Sequence, residues 1–441
     1  MKTSSRAELW RRRLCGRDLY RRRGWVLAAR GALLEACLPR ARLGEVVQLG
    51  RTQAQAEVCG FCGDRAMLLP TCGCQGLAPA EPVEATGEPF SLPWSESLTG
   101  CLVDAHARRL DGGPPLPVER RLPLFAAPPD PARRPPIREA LFTGVRAIDG
   151  LLTLGVGQRV GLYAGPGVGK STLLGQLARQ ARVERVVLCL VGERGREVNE
   201  FLERVLGPEG RRRTVTVCAT SDAPAGERAR VLPAATAIAE GFRDRGQSVL
   251  LLVDSLTRHV RAMRDVALAL GEAPGRRGFP PSVFDQLAGL LERAGAAPAA
   301  AITAVYTVLV EGDAEDDPVA QETRGLLDGH IVLSPELARA GLFPAIDPAE
   351  SLSRSMDGLV GPEQLAAARR VRAWWSAFES RRELIAAGAY QSGAEPLLDE
   401  ALRRRPRLLE FLAQPPRECA DAQETERRLR ALVDAESEEG R

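Results

Sequence analysis

The sequence predicts an α/β protein in three parts: a small β-barrel, a central and mostly parallel sheet covered by helices, and a helical C-terminal domain. Three observations carry that expectation. Residues 159–178 read as an apolar strand, a glycine-rich loop and a helix with apolar spacing. Apolar strand-like runs at 186–191, 215–219, 249–253, 302–309 and 331–333 alternate with helical patterns, the texture of parallel strands joined by crossover helices. Short alternating runs broken by Gly and Pro fill the stretch before residue 85, whereas strands disappear beyond about 361.

Taken in order, residues 1–23 form a basic arm in which Arg11–Arg13 and Arg21–Arg23 enclose Leu14, Leu19 and Tyr20. It reads either as a solvated tail or as an amphipathic arm for an acidic partner or anionic lipid. Residues 24–110 are the barrel-like domain. Inside it, Cys59-x-x-Cys62 and Cys72-x-Cys74 offer four thiols near zinc spacing. The second pair is one residue short and no His lies near, so buried or incidental thiols are the favoured reading. A proline-rich connector at 112–136 opens the core domain, 111–360, and 361–441 is the helical domain. With 441 residues and a net charge of +3, the chain holds ample core and lacks the basic excess of a dedicated nucleic-acid binder. No apolar run approaches the roughly 18 residues of a membrane span, and no secretory h-region opens the chain. The expectation is a cytoplasmic protein whose ten cysteines are reduced.

The chemistry centres on residues 164–172, AGPGVGKST. Gly165, Pro166, Gly167, Val168, Gly169, Lys170, Ser171 and Thr172 match a phosphate-binding P-loop, with Ala164 standing at its first glycine position. Glycines let successive N–H groups turn inward on an anion, and the following helix adds its positive end. Lys170 reaches the β- and γ-phosphates of ATP and Ser171 ligates Mg²⁺ in such a loop. Residues 250–254, LLLVD, are an apolar strand ending in an acid, which makes Asp254 the second metal residue. Glu193 closes the strand after the P-loop helix and is the candidate general base; Arg194 beside it is a candidate γ-phosphate contact. Arg196 and Glu197 read as ion-pair partners.

GERGRE at 192–197, DSLTR at 254–258 and PAIDPAESLSR at 344–354 together resemble the catalytic subunits of rotary ATPases, with their RecA-like core. The chain is more similar still to type III protein-export ATPases, through GFPPSVF at 278–284, YTVLVEGD at 306–313 and LDGHIVLS at 327–334. A C-terminal pattern, Ile385-x-x-Gly388-Ala389-Tyr390-x-x-Gly393-x-x-Pro396-x-x-Asp399, is particular to that group. The likeness runs from about residue 24 to 414. It implies a homohexamer that hydrolyses ATP at subunit borders, with Arg354 as the arginine finger and Phe343 against adenine, a core Phe being the competing reading. It further implies a central stalk, peripheral stator proteins, chaperone–substrate complexes, an export gate and peripheral inner-membrane association, with no nucleic acid. The basic loop 275–278 faces the pore in such rings; on its own it reads as a solvated loop. Residues 31–45 look more like injectisome than flagellar members. A hexameric nucleic-acid motor or a ring subunit that binds ATP without cleaving it are the readings from other classes.

Overall fold

The computed structural model describes residues 22–50, 54–71, 76–310 and 317–434. Residues 1–21 of the basic arm, Cys72, Cys74 and residues 311–313 of the YTVLVEGD stretch lie outside them, while Arg22 and Arg23, assigned to the arm, belong to the barrel. Six strands, β1 (Arg23–Arg30), β2 (Leu33–Cys37), β3 (Glu45–Leu49), β4 (Ala54–Cys62), β5 (Arg65–Pro70) and β6 (Pro82–Pro89), close into a barrel in the order β1-β2-β5-β4-β3-β6. Alternation sends one side chain of each pair inward: Val26, Leu34, Ala36, Val47, Leu49, Val58, Leu68 and Val83 fill the interior. Closure removes every sheet edge. Cys59 sits on β4, where burial pushes its thiol up to about 12 and its Sγ lies 3.3 Å from the Glu57 carbonyl; Cys62 ends the same strand exposed.

The core is a nine-stranded sheet. Its main path uses β7 (Leu102–Val103), β8 (Arg159–Ala164), β9 (Arg185–Glu193), β10 (Thr214–Thr220), β11 (Val249–Asp254), β12 (Ala301–Leu309), β13 (Gly329–Leu333) and β14 (Leu352–Ser353). They lie in the order β14-β13-β8-β12-β11-β9-β10-β7, with Gly295–Ala296 folded back on β12. All neighbours are parallel except β14 on β13 and that short return. Period-two alternation splits the apolar residues between two faces. On β9, Val187, Cys189 and Val191 join one cluster while Val186, Leu188 and Leu190 join the other.

Helices α1 (Lys170–Gln180), α2 (Ala225–Arg243), α3 (Leu256–Ala269) and α4 (Pro281–Leu291) cover the sheet. Strand β7 comes from the stretch the sequence reading gave to the barrel, because Leu102 and Val103 pair in parallel with β10. The proline-rich connector is tied down: Arg120–Pro123 pairs with Ser91–Trp94, and the Arg134 guanidinium bonds the Ala294 carbonyl.

Beyond the sheet stand α5 (Pro362–Ala386), α6 (Pro396–Leu412) and α7 (Ala422–Asp434). A proline at 406 argues for a break, yet α6 runs through it unbroken. Pro406 sits inside α6, where its missing N–H costs about 3 kcal/mol; burial of Ala401, Leu408, Phe411 and Leu412 against the core offsets that. Arg146 joins the two domains, its Nη1 bonding the Phe411 and Ala413 carbonyls at 3.1 and 3.2 Å.

Candidate active site

Strand β8 delivers the chain to the loop and α1 takes it away, so the P-loop stands at the C-terminal edge of the sheet, where open α/β sheets receive ligands. Gly167 and Gly169 have φ of 76° and 89°, the left-handed region that other residues avoid. Gly165 does not need it. Val168 is buried and pins the loop from beneath, while Ser171 and Thr172 open the first turn of α1 toward solvent.

The carboxylates converge on Lys170. Its ammonium bonds Asp254 Oδ1 and lies 4.0 Å from Glu193 Oε1. Asp254 ends β11 buried, and the Thr307 hydroxyl donates to the same Oδ1 at 3.1 Å. Glu193 ends β9 and pairs with the Arg258 guanidinium, whose Nη1 also donates to the Gly192 carbonyl at 3.0 Å. Burial pushes the Glu193 carboxyl above its ordinary range; the Arg258 hydrogen bond pulls it back and the Asp254 charge raises it further. Glu197 is held low, chiefly by hydrogen bonding with Glu193. Ser171, Glu193 and Asp254 line one cavity of about 280 Å³.

Sequence reasoning passed over Arg258 and Thr307. Arg258 had a readable signal: it lies four residues after the strand-end acid, in the first turn of the next helix. Thr307 stands in the YTVLVEGD stretch, but as one more residue of a buried strand it gave no sign of its bond to Asp254.

Ser171 and Asp254 offer a hydroxyl and a carboxylate facing one space, hard oxygen donors that suit Mg²⁺. Among the described residues no group of three or more His, Cys, Asp or Glu could cage an ion. That fits a cation completed by water and phosphate oxygens rather than by protein alone.

The Arg194 side chain is 80% exposed and pairs with Glu197 at 3.3 Å, so within one chain it does not join the Lys170 cluster. Arg196 likewise pairs with Glu200 at 3.9 Å. Phe343 is 39% exposed rather than part of the core, and a Cβ added to Gly169 would lie 3.2 Å from its ring. The ring therefore leans on the P-loop itself. Its carbonyl accepts the Gln414 amide at 2.8 Å, which fixes it from the helical domain.

Arg354 stands elsewhere. Its amide donates to the Asp328 carbonyl, and the Asp328 amide donates to the Arg159 carbonyl, so it sits level with the beginning of β8. The P-loop follows the end of that strand, about 16 Å away at 3.3 Å per residue. The Arg354 side chain is exposed and bonds the Arg324 carbonyl at 3.3 Å, with no carboxylate partner among the described residues.

A model of the ATP synthase alpha/beta family nucleotide-binding domain matches residues 144–353, and one of the T3SS EscN ATPase C-terminal domain matches 360–431. A type 3 secretion system ATPase of Sinorhizobium fredii (strain NBRC 101917 / NGR234) is 47% identical over 407 residues, spanning 91% of this chain and 90% of that one. The chain belongs to the type III secretion system ATPase family. The family extends to flagellar proteins: a flagellum-specific ATP synthase of Bacillus subtilis (strain 168) is 43% identical over 428 residues, covering 94% of this chain and 96% of the relative. The assembled ATPase EscN from the enteropathogenic E. coli type III secretion system superposes with a TM-score of 0.88 at 43% identity, over 93% of this chain and all of EscN. The expectations of barrel, parallel core and helical C-terminal region hold, and the protein is an ATPase.

Proposed function

We propose that this ATPase energises protein export through a type III secretion system, working as a homohexamer whose catalytic sites are shared between neighbouring subunits. One observation carries the shared site. Lys170, Asp254, Glu193 and Arg258 assemble within one chain, while Arg354 is exposed at the opposite end of β8 without a carboxylate partner among the described residues. The assembled state of EscN, also solved with its central stalk EscO at a TM-score of 0.86, supports a ring and a stalk partner.

The nucleotide phosphates bind the P-loop amides and the ammonium of Lys170. Phe343, leaning on Gly169, stacks on the adenine. Ser171 directly, and Asp254 through water, would hold Mg²⁺, which neutralises charge on the β- and γ-phosphates when bound. Glu193 accepts a proton from water as its oxygen bonds the γ-phosphorus and the bond to the β-phosphate oxygen breaks, giving ADP and phosphate. The neighbour's copy of Arg354 stabilises the transferring phosphoryl group; Arg194 reaches it only by leaving Glu197.

An Arg354→Ala variant is expected to lose about 10³–10⁵ in turnover while binding nucleotide normally. Phosphate release and fluorescent-nucleotide titration read the two effects separately. Parental turnover would remove the shared site.

Type III names among the relatives, and no membrane-spanning helix among the described residues, support work at the cytoplasmic face of the membrane with chaperone–substrate complexes, stator and export gate. An injectisome is the favoured setting; flagellum-specific relatives at 43% and 46% identity keep a second reading, export for a flagellum. Neighbouring genes for a needle and effectors, or for a hook and flagellin, decide between them.

A further inference from the structure

Arg354 is held at two points by one short stretch of chain. Its amide donates to the Asp328 carbonyl at 3.1 Å, and its Nη2 donates to the Arg324 carbonyl at 3.3 Å. The second contact caps a helix. At the end of Pro318–Leu326 the Leu327 amide closes on the Thr323 carbonyl, but the Asp328 amide turns away to Arg159. The Arg324 carbonyl is thereby left open to Arg354. A guanidinium suits that end, where open carbonyls and the helix dipole are both negative.

The Arg324 side chain ties this carbonyl to the sheet. Its guanidinium lies over the Tyr163 ring, 5.3 Å from the centroid, and the Tyr163 hydroxyl meets Thr323 Oγ1 at 3.0 Å. Tyr163 is buried in β8, so the helix end rests on a rigid strand. Arg324 is half-buried, its Nε makes no hydrogen bond, and no carboxylate pairs with it among the described residues. Its charge therefore does little for the fold of the lone chain.

The surrounding patch is positive. His330 stands edge-on to Tyr163 at 6.1 Å; burial pushes its imidazole down, and the charges of Arg324, Arg354 and Arg372 push it the same way. The acid beside Arg354, Asp328, is already bonded by Arg159 at 3.2 Å. Such a patch suits an anion brought from outside the subunit.

We propose that Arg324 is a positioning residue for Arg354: stacked on Tyr163, it holds the helix-end carbonyl from which the Arg354 guanidinium is aimed at the neighbour's nucleotide. The inference rests on the shared site proposed above.

The test uses the full chain. Arg324→Met keeps an unbranched side chain over the ring and removes the cation. It is expected to lower kcat about tenfold, the scale of a misaimed transition-state contact, with KM and melting temperature near parental. Parental kcat, or a loss carried by KM, would overturn the positioning role. Adding Arg324→Met to Arg354→Ala is expected to lower kcat no further; another tenfold would show Arg324 acting without Arg354 and overturn that role too.

Blends assign the loss to one side of the border. Arg324→Met mixed with Glu193→Gln is expected to exceed the mean of the two preparations about fivefold, because a quarter of the borders then join its intact grip to an intact Arg324. Mixed with Arg354→Ala it is expected to stay at the mean, since both lack the same half. The control is Glu193→Gln with Arg354→Ala. Where the control complements, a rise in the second blend or none in the first overturns the proposal alone. Where the control fails, the shared site falls and the proposal with it.

Discussion

Glu193 is placed to take a proton because its surroundings oppose each other: burial raises its affinity for the proton while Arg258 lowers it. As the base proposed above, Glu193 would act ionised, so turnover should fall on acidification from a pH above the ordinary carboxylate range. Arg258→Ala removes the lowering influence, and the acid limb of the kcat profile should move to still higher pH. Glu193→Gln is expected to cost about 10²–10⁴ in turnover with nucleotide affinity retained; phosphate release from the two proteins side by side measures it. Lys170, Ser171 and Asp254 were legible because each belongs to a motif whose flanking strand and helix are equally plain. Arg258 was half legible. Its spacing was visible, but a guanidinium one turn into a helix has many directions to point, and only packing fixes it on Glu193.

Elements hold these residues in register, and the joints between elements are charged groups in low-dielectric places. Arg230 of α2 bonds Glu57 and the Leu69 and Pro70 carbonyls, fastening the barrel to the core. Arg230→Ala strands a buried carboxylate and should cost about 3–5 kcal/mol of stability by chemical denaturation. Adding Glu57→Gln should return part of the loss. At the loop, Gly169→Ala forces a side chain into the left-handed region and against Phe343. About 1–2 kcal/mol of strain, or about tenfold in nucleotide affinity, is expected by titration. The alternating barrel strands and the P-loop unit were readable because period and turn residues agree locally. The single helix α6 was not, since Pro406 argues for a break that only tertiary burial overrides. Strand β7, two residues long, carried no pattern at all.

Across the whole molecule, three hydrophobic clusters share the load, one in the barrel and one on each face of the sheet. The helical domain joins the second of these, and Arg146 and Gln414 clasp it to the segment just before the P-loop. On the proposed shared site, specific activity is expected to rise steeply with protein concentration, since a lone chain would lack its neighbour's Arg354. Light scattering with a non-hydrolysable ATP analogue should report larger particles over the same range. The division of labour along β8, grip at one end and Arg354 at the other, has a further outcome in mixtures. Two separately dead preparations, one Glu193→Gln and one Arg354→Ala, should wake each other when blended, since one quarter of the borders in a random ring would unite an intact half from each. Such a ring behaves less like a set of enzymes than like a fence, whose working parts are the places where panels meet.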